Sequence, residues 1–256
     1  MKIIENVFYT ISKHPQQVLD VYLPECENFP VLVWFHGGGL ERGDKKYKYP
    51  LIESFVEKGI AVVSANYRMY PDAVYPEFVL DAATAVAWAI KHMGEYGEVT
   101  GYFIGGTSAG GYLTQMLCFD KKFLGKHGID PDSITGYVMD AGQPTSHFNV
   151  LKERGVDSRR VIIDDSAPIY HITAGRDYAP MQIFVAENDM RNRFEQTQLM
   201  ISTLKHLGCD ETKIDYRFMP GYKHTAYLRV FDDNGKNIFV EAVAPFIENC
   251  IALRDK

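Results

Sequence analysis

The sequence is poor in features that mark several protein classes. Only four cysteines, Cys26, Cys118, Cys209 and Cys250, occur among 256 residues, far apart and without a C-x-x-C pair. That excludes a disulfide framework or a zinc site as the organising feature. Long apolar runs are missing too: no window approaches the ~18 to 20 residues of a membrane-spanning helix. Basic charge is not in excess, with 27 Lys plus Arg against 33 Asp plus Glu and a net charge of −6. Neither a nucleic-acid partner nor an anionic membrane surface is therefore expected. The pairs Lys45-Lys46 and Lys121-Lys122 read as solvated surface. At the N-terminus, Met1-Lys2-Ile3-Ile4-Glu5-Asn6 puts an acid and an amide where a signal peptide needs an apolar run. A reduced, cytoplasmic protein is the expectation.

What is present is an alternation of short apolar runs with helix-period segments. Residues 3–10 and 17–23 alternate with period two around the polar stretch Lys13-His14-Pro15 and predict an antiparallel pair at a sheet edge. The runs Val31–Phe35 and Ile60–Val63 are nearly continuous, as in strands buried on both faces. Strands are also predicted at 102–104, 134–139, 181–186 and 214–219, and helices at 51–58, 76–92, 108–119, 193–207 and 238–253, the last with a bend at Pro245. This order predicts a single α/β domain over 1–256, with a mostly parallel central sheet and helices on both faces. One stretch breaks the alternation. Residues 142–177 hold Pro144, His147, Phe148, Asn149, a charged run and Asp164-Asp165-Ser166-Ala167-Pro168, and read as a small inserted lid or binding segment.

The chemistry is carried by Gly106-Thr107-Ser108-Ala109-Gly110, set between a predicted strand and a predicted helix. Glycines at both ends allow a sharp, strained turn that lifts the serine hydroxyl off the sheet. A second glycine run, His36-Gly37-Gly38-Gly39, directly follows the strand ending at Phe35. Its backbone can approach a ligand closely, and with the Ala109 amide it forms a candidate pocket for a developing oxyanion. Phosphate cradling fails on the residues: Asp44 stands where a P-loop needs Lys, and Arg42 where a dinucleotide fingerprint needs a third small residue.

A nucleophilic serine needs a base, and in this arrangement the chain order is serine, acid, histidine. Of eight histidines, His224 lies in the loop after the last predicted strand; His147 is a second candidate, reaching substrate from the insertion. Two acids, Glu187 and Asp189, follow the strand 181–186. Asp189, deeper in the loop, is the better placed to orient an imidazole.

These motifs resemble those of α/β-hydrolase esterases of the HGGG type: hormone-sensitive-lipase-like carboxylesterases and bacterial acetyl-xylan or feruloyl esterase-like proteins. The likeness rests on His36 to Gly39, Arg42 to Lys45, Asn66-Tyr67-Arg68, Tyr75-Pro76, Gly106 to Gly111, Ser166-Ala167-Pro168, Glu187 to Asp189, and Gly221 with His224, and runs from about residue 17 to 247. It implies an α/β-hydrolase fold, a Ser108, Asp189, His224 triad, and oxyanion amides from Gly38, Gly39 and Ala109. It also implies a serine esterase that needs no cofactor or metal and acts on a small-molecule ester. Esterases of this kind often dimerise, so a homodimer is the oligomer it suggests. Departures are Thr107, where many relatives carry Asp, Arg191-Asn192, where many have an apolar-Pro pair, and no long N-terminal cap. Small acyl esters, including those of carbohydrates, are the expected substrates. Trp34, Tyr67, Tyr70, Tyr75, Phe148, Tyr170 and Tyr222 are candidates both for a stacking surface and for core. An amide hydrolase such as an arylformamidase or small peptidase, an acyltransferase, and a non-catalytic binding protein are the alternatives.

Overall fold

A computed structural model of the chain describes residues 1–47 and 49–254, Tyr49 by its backbone only. Lys48, Asp255 and Lys256, which fall within the expected domain range, lie outside the described residues. The strands are β1 (Lys2–Phe8), β2 (Val18–Leu23), β3 (Asn28–Phe35), β4 (Ala61–Ala65), β5 (Glu98–Thr107), β6 (Gly136–Asp140), β7 (Met181–Asn188) and β8 (Ile214–Lys223). The helices are α1 (Tyr49–Glu57), α2 (Glu77–His92), α3 (Ala109–Phe119), α4 (Lys121–Gly125), α5 (Phe148–Glu153), α6 (Arg193–His206) and α7 (Ile238–Arg254).

The strands form one sheet in the order β1-β2-β4-β3-β5-β6-β7-β8. The β1–β2 and β2–β4 pairings are antiparallel and every later pairing is parallel. Strand β3 shows why its run reads as continuously apolar. Val31, Val33 and Phe35 pack into the apolar layer holding α2, α3 and α6, while Leu32 and Trp34 pack into the layer of α1 and α7. Both faces are covered, so both sets of alternating residues must be apolar. The edge strands differ: β1 is largely exposed and β8 is nowhere fully buried. Helix α7 continues through Pro245 to Arg254. Among the described residues no helix is long and apolar enough to cross a membrane.

In a parallel sheet the loops at the carboxyl ends of neighbouring strands gather on one edge. Here those loops follow β3, β5, β6, β7 and β8, and they bring His36, Ser108, Ala141, Asp189 and His224 to that edge. The loop after β3 is tied down from beneath. Lys45 is 4% exposed and its ammonium meets Asp20 on β2 at 2.8 Å, contrary to the surface role expected of it. Asp20 also accepts from the Asn6 N–H, and the Lys45 carbonyl accepts from Ser64 Oγ at 2.7 Å. A lysine buried this deeply needs its carboxylate, and the two-residue spacing to Gly43 carries no sign of that partner in sequence.

Removing one charge of a buried pair leaves the other uncompensated, at a cost of about 3–5 kcal/mol. Lys45→Met is expected to destabilise the fold by about that amount in urea titration, and Lys45→Met with Asp20→Leu by clearly less. Equal losses in the single and double variants would show that the pair is not a coupled unit.

Candidate active site

Ser108 sits in a conformation that a side chain rarely adopts, φ +56° and ψ −112°, at the hinge between β5 and α3. The strain is held by its neighbours. Its N–H donates to the Asp140 carbonyl at the end of β6, at 2.8 Å. Two residues on, Gly110 packs so closely that a Cβ there would lie 2.0 Å from the Phe35 carbonyl of β3. The serine hydroxyl is thereby raised at the edge of three adjacent strands.

His224 lies just past β8 and bridges the other two residues. Its Nε2 is 2.8 Å from Ser108 Oγ, and its Nδ1 is 2.5 Å from Asp189 Oδ1. A carboxylate can only accept, so Nδ1 carries the proton and Nε2 is left to accept from the serine hydroxyl. The Asp189 side chain is 1% exposed. Burial alone would push it up, but the His224 bond and charge, the Met190 N–H and the nearby Arg193 hold it below the ordinary carboxylate range. Glu187, the competing acid, turns to the sheet edge and accepts from the Gly221 N–H at 2.7 Å.

Ser108 and His224 line a cavity of about 640 Å³ whose walls also include Gly37 to Gly39, Glu41, Arg42, Tyr47, Phe148, Asn149, Met190 and Thr225, with Asp189 buried behind the imidazole. Gly38 has φ +127°, and a Cβ there would lie 1.8 Å from the Arg42 carbonyl, so no other residue fits. Its own carbonyl accepts from the Glu41 and Arg42 N–H groups, closing a tight turn. Gly38 and Gly39 line the cavity, whereas Ala109 is fully buried behind Ser108 as the first residue of α3. First-turn amides of a helix have no partner inside it, so an Ala109 N–H donor is available there. His36 supports the loop: its ring stacks on Tyr67 at 4.6 Å, and the Tyr67 hydroxyl donates to its carbonyl at 2.9 Å. Burial lowers the His36 pKa, and its Nδ1 lies 2.7 Å from the Gly37 carbonyl, to which it donates. It is a neutral structural imidazole.

The segment 142–177 reaches the site through α5. Asn149 Nδ2 donates to the Gly39 carbonyl, and Lys152 pairs with Glu41 at 2.6 Å, so this short helix is fastened to the glycine loop at two points. His147, the second candidate, does not line the cavity. It is 1% exposed, stacks against Phe148, and accepts the Asn149 N–H at Nδ1 to cap α5. Burial drives its pKa well down, with a further push from Arg193. Of the seven aromatic candidates only Phe148 lines the cavity. Trp34 packs between Phe55 and Phe239 in the core, and Tyr170 is exposed. Tyr47, Glu41 and Met190 were not singled out in the sequence. Their positions after the glycine loop and after Asp189 were the available signal.

The BD-FAE family model matches residues 19–204, well over half of the chain. The chain belongs to the BD-FAE family. Among curated relatives, esterase LipC of Mycobacterium tuberculosis is 24% identical over 233 residues, covering 82% of this chain and 57% of LipC. The probable carboxylic ester hydrolase LipM of the same organism is 36% identical over 215 residues, covering 76% of this chain and 49% of LipM. The chain thus spans about half the length of these relatives. Among solved structures, esterase B from Lactobacillus rhamnosis matches with a TM-score of 0.82 at 17% identity, over 99% of this chain and 87% of that one. The fold of this BD-FAE chain is the α/β-hydrolase fold, as its motifs led one to expect.

Because Asn149 holds the carbonyl of a cavity-lining glycine, Asn149→Ala is expected to lower kcat on an ester substrate about 10-fold, equivalent to about 1.4 kcal/mol, with KM changed less. Steady-state kinetics beside a thermal melt provide the check. Unchanged kcat in a folded variant would remove Asn149 from the support of that loop.

Proposed function

We propose that the protein is a serine carboxylic-ester hydrolase acting on small acyl esters, including those carried on carbohydrates. The observation that carries this reading is the position of His224, whose two ring nitrogens engage Ser108 and Asp189 at hydrogen-bond distance beside one open cavity. Ser108 attacks the ester carbonyl while His224 Nε2 takes the hydroxyl proton. Asp189 keeps the imidazole in the required tautomer and offsets the charge it acquires. The tetrahedral oxyanion is held by the amides of Gly38, Gly39 and Ala109. The intermediate collapses to an acyl-enzyme as His224 gives its proton to the leaving alcohol. Water then repeats the sequence, with His224 as base, and releases the carboxylic acid.

The small-acyl preference is supported by Phe148, whose ring lies about 3.5 Å from where a Cβ on Gly39 would be. Groups beside His224, Met190 and Thr225, face the leaving alcohol, because His224 must protonate it. Those beside Gly39 face the acyl side. The polar wall groups Glu41, Arg42, Tyr47 and Asn149 suit a hydroxyl-bearing substrate.

Ser108→Ala is expected to lower turnover of p-nitrophenyl acetate by at least about 10³-fold without loss of folding. Turnover at the wild-type rate would end the assignment of Ser108. Across acetyl, butyryl, octanoyl and feruloyl esters, wild-type kcat/KM is expected to fall from acetyl to octanoyl, and Phe148→Ala to raise the octanoyl-to-acetyl ratio. Faster hydrolysis of octanoate than of acetate by the wild type would overturn the small-acyl reading.

A further inference from the structure

Arg42 is a charged wall residue that the proposed reaction leaves without a task. It lines the cavity that holds Ser108 and His224, and its backbone is fixed to the glycine loop. Its N–H donates to the Gly38 carbonyl at 3.2 Å, and its own carbonyl sits where Gly38 would carry a Cβ. The side chain thus starts from a fixed point beside the candidate oxyanion amides. Among the described residues its guanidinium meets no carboxylate, carbonyl or ring.

The acids nearest to it in sequence are engaged elsewhere. Glu41 pairs with Lys152 at 2.6 Å. Asp44 accepts from Asn66 Nδ2 and from the Lys46 N–H, each at 2.9 Å. Exposure does not account for an unpaired guanidinium, because Arg159, whose side chain is 88% exposed, still holds Asp157. Arg68, Arg154, Arg176 and Arg217 each hold an aspartate as well. A second cation adjoins the same wall. Arg229, from the 3-10 turn after the His224 loop, lies over the ring of the wall residue Tyr47, 5.6 Å from its centroid. It too meets no acid among the described residues.

The charges of the wall therefore do not cancel. Glu41 is matched by Lys152, and Asp189 lies behind the imidazole in its bond to His224, which leaves Arg42 and Arg229 unmatched. This is a local positive excess in a chain of net charge −6, whose overall field repels anions. A guanidinium presents paired donors in the geometry of a carboxylate, and a neutral substrate leaves both charges unanswered. We propose that Arg42, with Arg229 behind Tyr47, receives a carboxylate that the substrate carries away from the scissile bond. The substrate is then a hemiester if the anion lies on the acyl part, or an acylated hydroxy acid if it lies on the alcohol part. This inference deepens the esterase reading above and rests on it.

The test compares kcat/KM for carboxylate substrates and their carboxamide counterparts by titration of the acid released. Monoethyl succinate against ethyl succinamate probes the acyl part, and 4-acetoxybenzoate against 4-acetoxybenzamide probes the alcohol part. The wild type is expected to favour the carboxylate about 10-fold in one pair, and that pair identifies which part carries the anion. The ratio is expected to fall to near one in Arg42→Gln, to an intermediate value in Arg42→Lys, and by about two- to threefold in Arg229→Gln. Raising NaCl from about 50 to about 500 mM is expected to lower it in the wild type. A merely structural role would lower both members of a pair and leave the ratio in place. If Arg42→Gln does not fold, Arg229→Gln and the salt series still decide the matter. No carboxylate preference in either pair, or a ratio unmoved in Arg42→Gln, would overturn the inference. A wild type that turns over no ester, p-nitrophenyl acetate included, would instead overturn the esterase reading, which keeps the two failures distinct.

Discussion

The hydrogen bond from the Ser108 N–H to the Asp140 carbonyl is the contact on which the rest of the site depends. It pins an unfavourable backbone conformation, and a residue in that region persists only where its surroundings over-determine it. The surroundings are three neighbouring strands. Strand β5 delivers the serine, β6 accepts its amide, and the carbonyl of Phe35 on β3 leaves room for a glycine alone at position 110. The sheet order β3-β5-β6-β7 then fixes where everything else must come from. The glycine loop follows β3 on one side of the nucleophile, and the acid follows β7 on the other. The histidine, from the outermost strand, crosses back between them.

Much of this was legible in the sequence because the constraints are local. A strand buried on both faces must be apolar throughout, so Val31–Phe35 announces itself. A turn as tight as Gly106–Gly110 needs glycine at the points of closest backbone approach. Position deeper in the loop separates Asp189 from Glu187, and the structure adds the reason: Glu187 still belongs to β7, at the shift in its pairing with β8, and spends its carboxylate on the Gly221 N–H. The β1–β2 hairpin was readable for the same local reason, period-two alternation on each side of a polar turn.

What escaped the sequence is what depends on distant partners. Lys45 reads as surface when seen beside Lys46, and only the fold brings Asp20 beneath it. His147 reads as a second candidate to reach substrate from the insertion, and only the packing of Tyr112 and Phe148 around it makes it a buried helix cap. The aromatic candidates divided between core and wall for a related reason. Rings that flank a motif in sequence turn inward wherever a strand or helix offers an apolar face, so Trp34 and Tyr67 became core while Tyr47 and Phe148 became wall. The strand β8 runs on through Pro220 to Lys223 where a loop was expected, which an edge strand permits because a proline there costs no interior ladder bond.

Buried polar groups support the site from two sides. Beneath the glycine loop, Lys45 and Asp20 pair at 2.8 Å, and the Lys45 carbonyl takes the Ser64 hydroxyl, so the loop is tied to β2 and β4 at once. Beneath the nucleophile, the end of β6 is held in the same way: Tyr227 donates to the Asp140 side chain, and Arg193 donates to the Ala141 carbonyl and to Gln143. The Asp140 carbonyl that receives the Ser108 N–H therefore sits on backbone fastened both from the turn after His224 and from the start of α6. A strained residue persists only where its surroundings over-determine it, and here the elements that carry the acid and the histidine also brace the strand that holds the serine.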